Sequence, residues 1–309
     1  MSDLLTLTLP LFLLIALGYA AVRGGLFAAG DVRTLGSFVL YVALPALIVR
    51  AFSQRPLGDI FDANYVAAVA LGGLVVFAIG WLAARALALP REGAALAAMG
   101  MVAANTGYIG YPLAALVLGP GAAVALALNL LVENLLIIPL ALALAESAAS
   151  QGQRWPQVLR GTAQRLLRSP LIIAIAAGTL LSLSGLQLPA AAGKAIDLLA
   201  TASAPVALFA IGGMLHGSSV RGLAAPLALI VTGKLVLHPL AVALALQVFP
   251  VADPVLATAA VLLAAVPMIA IYPVLGQRFG QQRLTAAALL VSVLVSVLTV
   301  NGVLWLLGR

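Results

Sequence analysis

Apolar stretches of eighteen or more residues follow one another along nearly the whole chain, separated by short breaks that contain charged residues, glycine or proline. A stretch of this length and composition is typical of a helix that crosses a lipid bilayer. Only 8% of the residues are charged, whereas soluble domains carry about 25%, so this chain has too few charges to cover a water-facing surface. The pattern therefore predicts an all-α polytopic membrane protein.

The breaks divide the chain into ten predicted transmembrane helices. Their approximate ranges are 4–22, 33–50, 64–85, 94–118, 121–146, 168–184, 191–216, 222–249, 254–276 and 283–307. The longest polar connection, 147–167, separates five helices in 1–146 from five in 168–309. We interpret the two outer segments as five-helix repeats joined by a connecting loop.

Helix-breaking residues support this division, because three pairs of them recur at one offset of 160 positions. The pairs are Pro10 and Pro170, Gly18 and Gly178, and Pro45 and Pro205. Since five is an odd number, the second repeat must enter the bilayer from the side opposite to the first. Inverted repeats of this kind are the usual plan of secondary transporters. The alternative is a chance match within a background rich in alanine and leucine.

Basic residues are distributed unequally between the two sets of alternating connections. The richer set contains Arg23, Arg33, Arg85, Arg91, Arg154, Arg160, Arg165, Arg168, Arg221, Arg278 and Arg283. The poorer set contains Arg50, Arg55, Lys194 and Arg309. Because Lys and Arg accumulate on the cytoplasmic side, we expect the 147–167 loop to be cytoplasmic and both termini to be non-cytoplasmic.

The predicted fourth helix carries Asn-Thr-Gly-Tyr-Ile-Gly-Tyr-Pro, residues 105–112, near its middle. Two glycines and a proline within six residues undo helix hydrogen bonding where lipid offers no replacement. Such a segment is tolerated only when it is buried in protein or lines a wet cavity. The candidate substrate-binding residues of this segment are Asn105, Thr106, Gly107, Tyr108, Gly110 and Pro112.

The matching position of the ninth helix is also interrupted, since the offset of 160 places Gly107 on Pro267. Pro267, Met268 and Tyr272 are therefore further candidate binding residues. Each break would leave a short helix whose free N–H groups and positive dipole end lie near the bilayer midplane, where they favour an anion. The alternative is a pair of proline kinks without a site.

Two charged residues fall near the middle of predicted helices, Glu133 in the fifth and Lys234 in the eighth. Each lies about 18 Å from one end of its helix, so the two could meet. A centred charge costs about 2.5–3.5 kcal/mol on insertion scales and needs a partner, water or a change of protonation. Asn129 and His238 lie one turn away on the same faces, whereas Asn134 points to a different face and is a weaker candidate. Glu133 is a candidate proton-coupling carboxylate and Lys234 a partner for an anion; a structural ion pair is the alternative.

Residue types needed for catalysis or cofactor binding are scarce. Cysteine is absent and there are two histidines, which excludes disulfides, thiolate metal sites and a His-Glu-x-x-His zinc motif. We therefore expect no metal, no cofactor and no enzymatic activity, with an intramembrane enzyme as a remote alternative. The net charge of +7 is scattered between apolar runs and does not form the basic stripe of a nucleic-acid-binding protein.

The 105–112 segment, the ten predicted helices and Leu-Pro-Ala-Leu at 44–47 resemble the auxin efflux carrier family, and most closely its short bacterial members, the auxin-carrier-like or malonate-type permeases. The resemblance covers essentially the whole chain and implies an inner (plasma) membrane protein with a fold shared with bile-acid sodium symporters. In that fold the fourth and ninth helices cross at their breaks and substrate binds beside the crossing. Helices one, two, six and seven form a scaffold, and the other six form a moving core. The positions carried over are Asn105, Gly107, Tyr108, Pro112 and Pro267.

Together these features predict a secondary transporter in which a small organic anion, expected to be a carboxylate, moves by alternating access at the crossing. Coupling to H⁺ through Glu133, coupling to Na⁺ on freed carbonyls, and uncoupled transport all stay open. A channel is the alternative function. The sequence does not give the substrate, the direction of transport or whether the chain forms a homodimer.

Overall fold

The computed structural model describes residues 2–53, 61–119, 121–149, 168, 170–184, 186, 188–216 and 223–307. All regular secondary structure in these residues is helical, and one isolated bridge of β type joins Ala104 to Met268. The predicted connecting loop, 147–167, lies outside the described residues except for 147–149, which end a helix.

The α-helices of the first half are α1 (Ser2–Arg23), α2 (Ala29–Phe38), α3 (Leu44–Ser53), α4 (Ala63–Ala86), α5 (Arg91–Val102), α6 (Tyr111–Leu118), α7 (Ala122–Val132) and α8 (Ile138–Ala149). Those of the second half are α9 (Pro170–Ser184), α10 (Ala190–Met214), α11 (Ala224–Thr232), α12 (His238–Val248), α13 (Pro254–Ala265), α14 (Tyr272–Arg278) and α15 (Gln282–Leu306). Four π-helical segments join some of them: Val39–Ala43, Thr106–Gly110, Glu133–Ile137 and Gly233–Leu237.

Six helical runs of the described chain are long and apolar enough to cross a membrane. They are Gly30–Ser53, Ala63–Ala86, Ala122–Ser147, Ala190–Met214, Ala224–Val248 and Gln282–Leu306. Four shorter apolar helices occupy Leu9–Arg23, Thr106–Leu118, Pro170–Ser184 and Pro254–Ala265. The prediction of an all-α polytopic membrane protein is therefore confirmed.

Each π-helical segment of the described chain is followed, two residues after its end, by a proline. The four prolines are Pro45, Pro112, Pro139 and Pro239. A proline ring inside an α-helix collides with the carbonyl group four residues earlier, which here is the third residue of each π segment. The wider π turn moves that carbonyl away from the ring, so the helix continues without a break. Pro10 and Pro205, in contrast, lie within uninterrupted α-helices.

The helices pack as two groups. In the first group, α10 packs against α1, α2 and α3, and α3 packs against α9. In the second group, α4 packs against α5 and α12, α13 packs against α7 and α12, and α15 packs against α11 and α14. The largest buried apolar cluster draws mainly on the second group, including Tyr65, Met101, Leu128 and Tyr272.

Glycines permit very close contact within the first group. A Cβ atom on Gly212 of α10 would overlap the carbonyl oxygen of Ile15 in α1, and a Cβ on Gly18 of α1 would overlap that of Phe209 in α10. Small residues that let two backbones approach are typical of helix interfaces in membranes. The contact between α1 and α10 is therefore backbone against backbone, with no side chain between.

Candidate functional site at the crossing of two broken helices

Two helices are interrupted, and their interruptions contact each other. Helix α5 ends at Val102 and α13 ends at Ala265. Between these ends the backbone N–H of Asn105 donates to the carbonyl oxygen of Pro267 at 2.7 Å, and the N–H of Ile269 donates to Ala103 at 3.0 Å. The two unwound strands run antiparallel and supply part of the hydrogen bonding that each lost by leaving the helix.

The local sequence accounts for both interruptions. Pro267 has no N–H to donate and holds the preceding Val266 in an extended conformation, with a ψ of 159°. On the other strand, the carbonyl oxygen of Asn105 accepts the N–H groups of Ile109 and Gly110, and helix resumes from Thr106. A Cβ on Gly110 would lie 2.8 Å from the Leu263 side chain of α13, so one of the two would have to shift.

Glu133 completes the hydrogen bonding of the first interrupted strand. Its Oε1 accepts the backbone N–H of Ala104 at 3.0 Å and the hydroxyl of Thr106 at 2.8 Å. The side chain is buried, and its Oε2 has no hydrogen-bond partner among the described residues. A carboxylate here lies at the start of the helical run 106–118, where the helix dipole favours negative charge.

Lys234 binds the backbone at the second interruption, as Glu133 does at the first. Its Nζ donates to the carbonyl oxygen of Ala264, in the last turn of α13, at 2.7 Å and lies 2.9 Å from Nδ1 of His238. The side chain is fully buried. A cation is favoured at this position because the C-terminal end of a helix carries partial negative charge.

The two charges therefore serve different strands of the crossing. Glu133 and Lys234 are close enough for their charges to interact, but they form no salt bridge within the described part of the chain. Each is instead anchored to a backbone group that the helix breaks left free. The direct ion pair that the matching depths allowed is absent.

Asn129 bonds to a neighbouring helix and not to the interrupted strands. Its side-chain oxygen accepts the hydroxyl of Tyr65 at 3.0 Å, which joins α7 to α4. His238 contacts Lys234 through Nδ1, and its Nε2 is buried without a hydrogen-bond partner among the described residues. Both residues position their neighbours and line neither cavity described below.

A cavity of about 310 Å³ lies beside the crossing. Four of the candidate binding residues line it together with Glu133: Asn105, Thr106, Gly107 and Tyr108. The amide nitrogen of Asn105 is buried and has no hydrogen-bond partner among the described residues. The cavity wall thus contains two residues, Asn105 and Glu133, that each have an unsatisfied polar atom.

The other candidate binding residues lie outside this cavity. Gly110, Pro112, Pro267, Met268 and Tyr272 do not line it. Met268 and Tyr272 are fully buried, and the Tyr272 hydroxyl donates to the carbonyl oxygen of Leu96 at 2.8 Å. The structure therefore places these five residues in the packing around the crossing.

Several further residues that line the cavity were not among the candidate binding residues. They are chiefly Tyr41, Leu44, Asn134, Pro139, Ile269 and Ala270. Tyr41 belongs to a π-helical segment, and Pro139 follows another. Because each such segment is followed by a proline, a proline within an apolar run was the sequence signal that could have indicated these positions. Asn134 adjoins Glu133, yet α-helical spacing placed it on a different face.

A second, larger cavity of about 650 Å³ borders the first, with Leu40, Tyr108, Ala270 and Ile271 lining both. Its polar lining residues are Arg33, Ser37, His216, Gln277, Gln282 and Arg283. The hydroxyl of Tyr108 donates to the carbonyl oxygen of Gly36 at 2.8 Å. Tyr108 therefore stands between the cavities and ties the broken helix of the second group to α2 of the first.

A comparison with protein families decides the class of this molecule. A family model described as "Membrane transport protein" matches residues 3–304. The chain belongs to this family. The match confirms the resemblance to the auxin efflux carrier family, and it covers both broken helices and both cavities.

Individual members of the membrane transport protein family agree with this assignment. The chain is 36% identical over 311 residues to a protein of Rhizobium meliloti (strain 1021) named "Putative malonate transporter", covering 99% of this chain and 97% of the relative. It is 27% identical over 242 residues to the "Uncharacterized transporter YfdV" of Escherichia coli (strain K12), covering 76% of each chain. The protein is thus a multi-pass membrane transporter of a small molecule, and not an enzyme.

Proposed function

We propose that this transporter carries a small carboxylate by alternating access, with the substrate bound in the 310 Å³ cavity beside the crossing. The observation that carries the proposal is the pair of unsatisfied polar atoms, Nδ2 of Asn105 and Oε2 of Glu133, in residues that line this cavity. Buried polar groups without partners are costly, so a ligand that pairs with both is stabilised.

Both atoms are buried in this conformation, so a carboxylate substrate in the cavity would pair with them after a small movement of the two side chains, with Glu133 protonated. Oε1 then keeps accepting from Ala104 and Thr106, while the proton on Oε2 is donated to the substrate. The amide N–H of Asn105 donates to the same substrate group. The positive end of the helical run 106–118 adds a favourable field for the anion. Under this scheme one proton travels with each substrate molecule.

The size of the cavity favours a small acid. A volume of about 310 Å³ is at the lower end of the range for ligand pockets, about 300–1,000 Å³. Most of its lining is apolar, which leaves room for a few polar contacts only. Since the Rhizobium relative is named for malonate, we propose short dicarboxylates as the first substrates to test.

We further propose that ten helices cross the membrane as two inverted five-helix repeats, 1–146 and 168–309, with both termini outside the cytoplasm. The observations in favour are the offset of 160 between helix breakers and the excess of arginine in one set of connections. Arg33 and Arg283 belong to that set and line the larger cavity. We therefore propose that the cavity opens to the cytoplasmic side, so that this conformation faces inward.

The two helix groups suggest which parts move. The close contact between α1 and α10 favours a rigid first group. The second group holds both interrupted strands and both buried charges, so it would carry the site as a unit. The cavities open where the groups meet, and movement of the second group against the first would expose the site to each side in turn.

A thermal-shift screen of the detergent-purified transporter tests this proposal. We expect short dicarboxylates to raise the melting temperature of the wild type, because a ligand that binds only the native state stabilises it. The increase should be larger at acidic pH, because the proposed binding requires Glu133 to be protonated. We expect the same ligands, at the same concentration, to give a smaller shift with Asn105→Ala. Absence of a shift with any mono- or dicarboxylate would contradict a carboxylate site. Unsaturable flux without counterflow would instead favour a channel.

A further inference from the structure

The C-terminal end of α13 has lost the donors that its backbone carbonyls would have in a continuous helix. The carbonyl of Leu263 has no donor four residues later, because that residue is Pro267. The carbonyl of Ala265 also lacks one, because the N–H of Ile269 donates to Ala103. Carbonyls freed in this way, at the end of a half-helix, are the groups with which transporters of broken-helix design hold coupling cations.

A side chain of this protein already occupies that environment. Lys234 reaches from the π-helical segment Gly233–Leu237 and donates to the carbonyl of Ala264 at 2.7 Å. An ammonium group is a compact point charge with three donors and no acceptor, so it replaces a monovalent cation on carbonyl oxygens. Its second contact, Nδ1 of His238, is an acceptor when the imidazole is neutral with its proton on Nε2.

The chain has only one other lysine, and the two lysines differ in their exposure. Lys194 is exposed near the start of α10, whereas Lys234 is fully buried. Glu133 is the buried acid whose charge interacts with that of Lys234. It is bound to the other strand of the crossing and forms no salt bridge with Lys234. The ammonium is therefore held by helix-end carbonyl and imidazole acceptors, as a bound cation would be.

We infer that Lys234 is a tethered cation that fills the cation position at the crossing, so that this transporter works without a metal ion there. The cationic group that a coupling ion would supply from solution is part of the chain itself here. Independence of transport from Na⁺ rests on the proposed carrier function, whereas the occupancy of the position by Lys234 does not. If coupling exists, it must then use another ion, such as a proton.

The wild type provides the first test. Its melting temperature, and its uptake of labelled malonate into proteoliposomes, are measured in NaCl, LiCl, KCl and choline chloride at equal ionic strength and pH. We expect the same melting temperature and the same uptake rate in all four salts. A saturable increase in either quantity that is specific for Na⁺ would overturn the inference. If no uptake occurs in any salt, the carrier proposal fails. The melting temperatures in the four salts still test whether a cation from solution binds at the position of Lys234.

Two variants provide the second test. Lys234→Ala leaves space and free carbonyls, whereas Lys234→Met fills the space without a charge. We expect Na⁺, Li⁺ or methylammonium to raise the melting temperature of Lys234→Ala by about 2–4 °C over choline, and to leave Lys234→Met unchanged. Lys194→Ala should match the wild type in every salt.

A folded Lys234→Ala protein, monodisperse on size exclusion, that responds to none of these cations would contradict the inference. Equal responses of Lys234→Ala and Lys234→Met would contradict it as well, because the filled variant offers no room for an ion. If Lys234→Ala does not fold in choline, recovery of monodisperse protein in methylammonium supports the inference. Failure to recover it in any of the small cations counts against the inference.

Discussion

Oε1 of Glu133 accepts the backbone N–H of Ala104 at 3.0 Å, so an acidic side chain of one helix supplies the acceptor that another helix lost where it was interrupted. The same oxygen accepts the hydroxyl of Thr106 at 2.8 Å. An unsatisfied N–H within the apolar interior of a membrane protein is costly, which explains why an ionisable residue is tolerated here. One carboxyl group is therefore part of both the packing at the crossing and the proposed substrate site.

Glu133→Ala is expected to destabilise the protein by about 1–3 kcal/mol, because the N–H of Ala104 and the hydroxyl of Thr106 lose their acceptor. Glu133→Gln keeps an oxygen in place of Oε1 and should cost less. The measurement is the thermal midpoint of each purified variant against the wild type. Equal midpoints for wild type and Glu133→Ala would contradict the role given to this contact.

Gly212→Ala is expected to destabilise the protein by about 1–3 kcal/mol, since the added Cβ would overlap the Ile15 carbonyl and force α1 away from α10. The matched control is Gly302→Ala in α15, where an added Cβ meets no neighbouring atom and should be neutral or stabilising. Thermal midpoints report both effects. A neutral Gly212→Ala would show that this contact can relax.

Tyr108→Phe removes the hydrogen bond to Gly36 that links the two helix groups in the conformation described here. A lost bond of about 0.5–1.5 kcal/mol shifts the ratio of two conformations by about two- to twelvefold. Because the chain has no cysteine, Gln277→Cys offers a unique label in the larger cavity. We expect Tyr108→Phe to slow the reaction of this cysteine with a maleimide.

The control for this labelling experiment is Tyr65→Phe. The hydroxyl of Tyr65 bonds to Asn129 within the second helix group, so its loss should not favour either conformation. Equal labelling rates for Tyr108→Phe and the wild type would mean that the bond to Gly36 does not hold the groups in this arrangement.

The proposed orientation predicts opposite labelling at two positions. In intact cells, a membrane-impermeant maleimide should react with Lys194→Cys near the outer end of α10 and should not react with Gln277→Cys. Both side chains are exposed in this structure, so access to the aqueous side decides the result. The reverse pattern would invert the topology derived from the arginine distribution.

The sequence identified the interruptions well, because a cluster of glycine, proline and polar residues within an apolar run is costly in lipid unless the helix is interrupted there. It located the segments around Asn105 and Pro267, which the structure brings together at the crossing. It also identified Glu133 and Lys234 as buried charges that require partners. Those partners are backbone groups, and no residue pattern indicates a backbone acceptor or donor.

The sequence was less informative about which side chains face the cavity. Counting at 3.6 residues per turn placed Asn129 on the face of Glu133 and Asn134 elsewhere. Asn129 does lie one α-helical turn before Glu133, but its side chain bonds to Tyr65. From Glu133 to Ile137 the helix is of π type, and Asn134 lines the cavity. Equal depths of Glu133 and Lys234 similarly gave no information about the direction in which each side chain points.

Uptake of labelled malonate into proteoliposomes tests the central claim most directly. For the wild type we predict saturable uptake that is accelerated by unlabelled malonate inside. Asn105→Ala removes a donor to a charged group and should lower kcat/KM about ten- to hundredfold. Glu133→Gln should make the remaining uptake insensitive to pH. Asn64→Ala, whose exposed amide donates to the carbonyl oxygen of Pro250 and lines neither cavity, should match the wild type. Unchanged saturable uptake in both Asn105→Ala and Glu133→Gln would contradict a substrate site at the crossing.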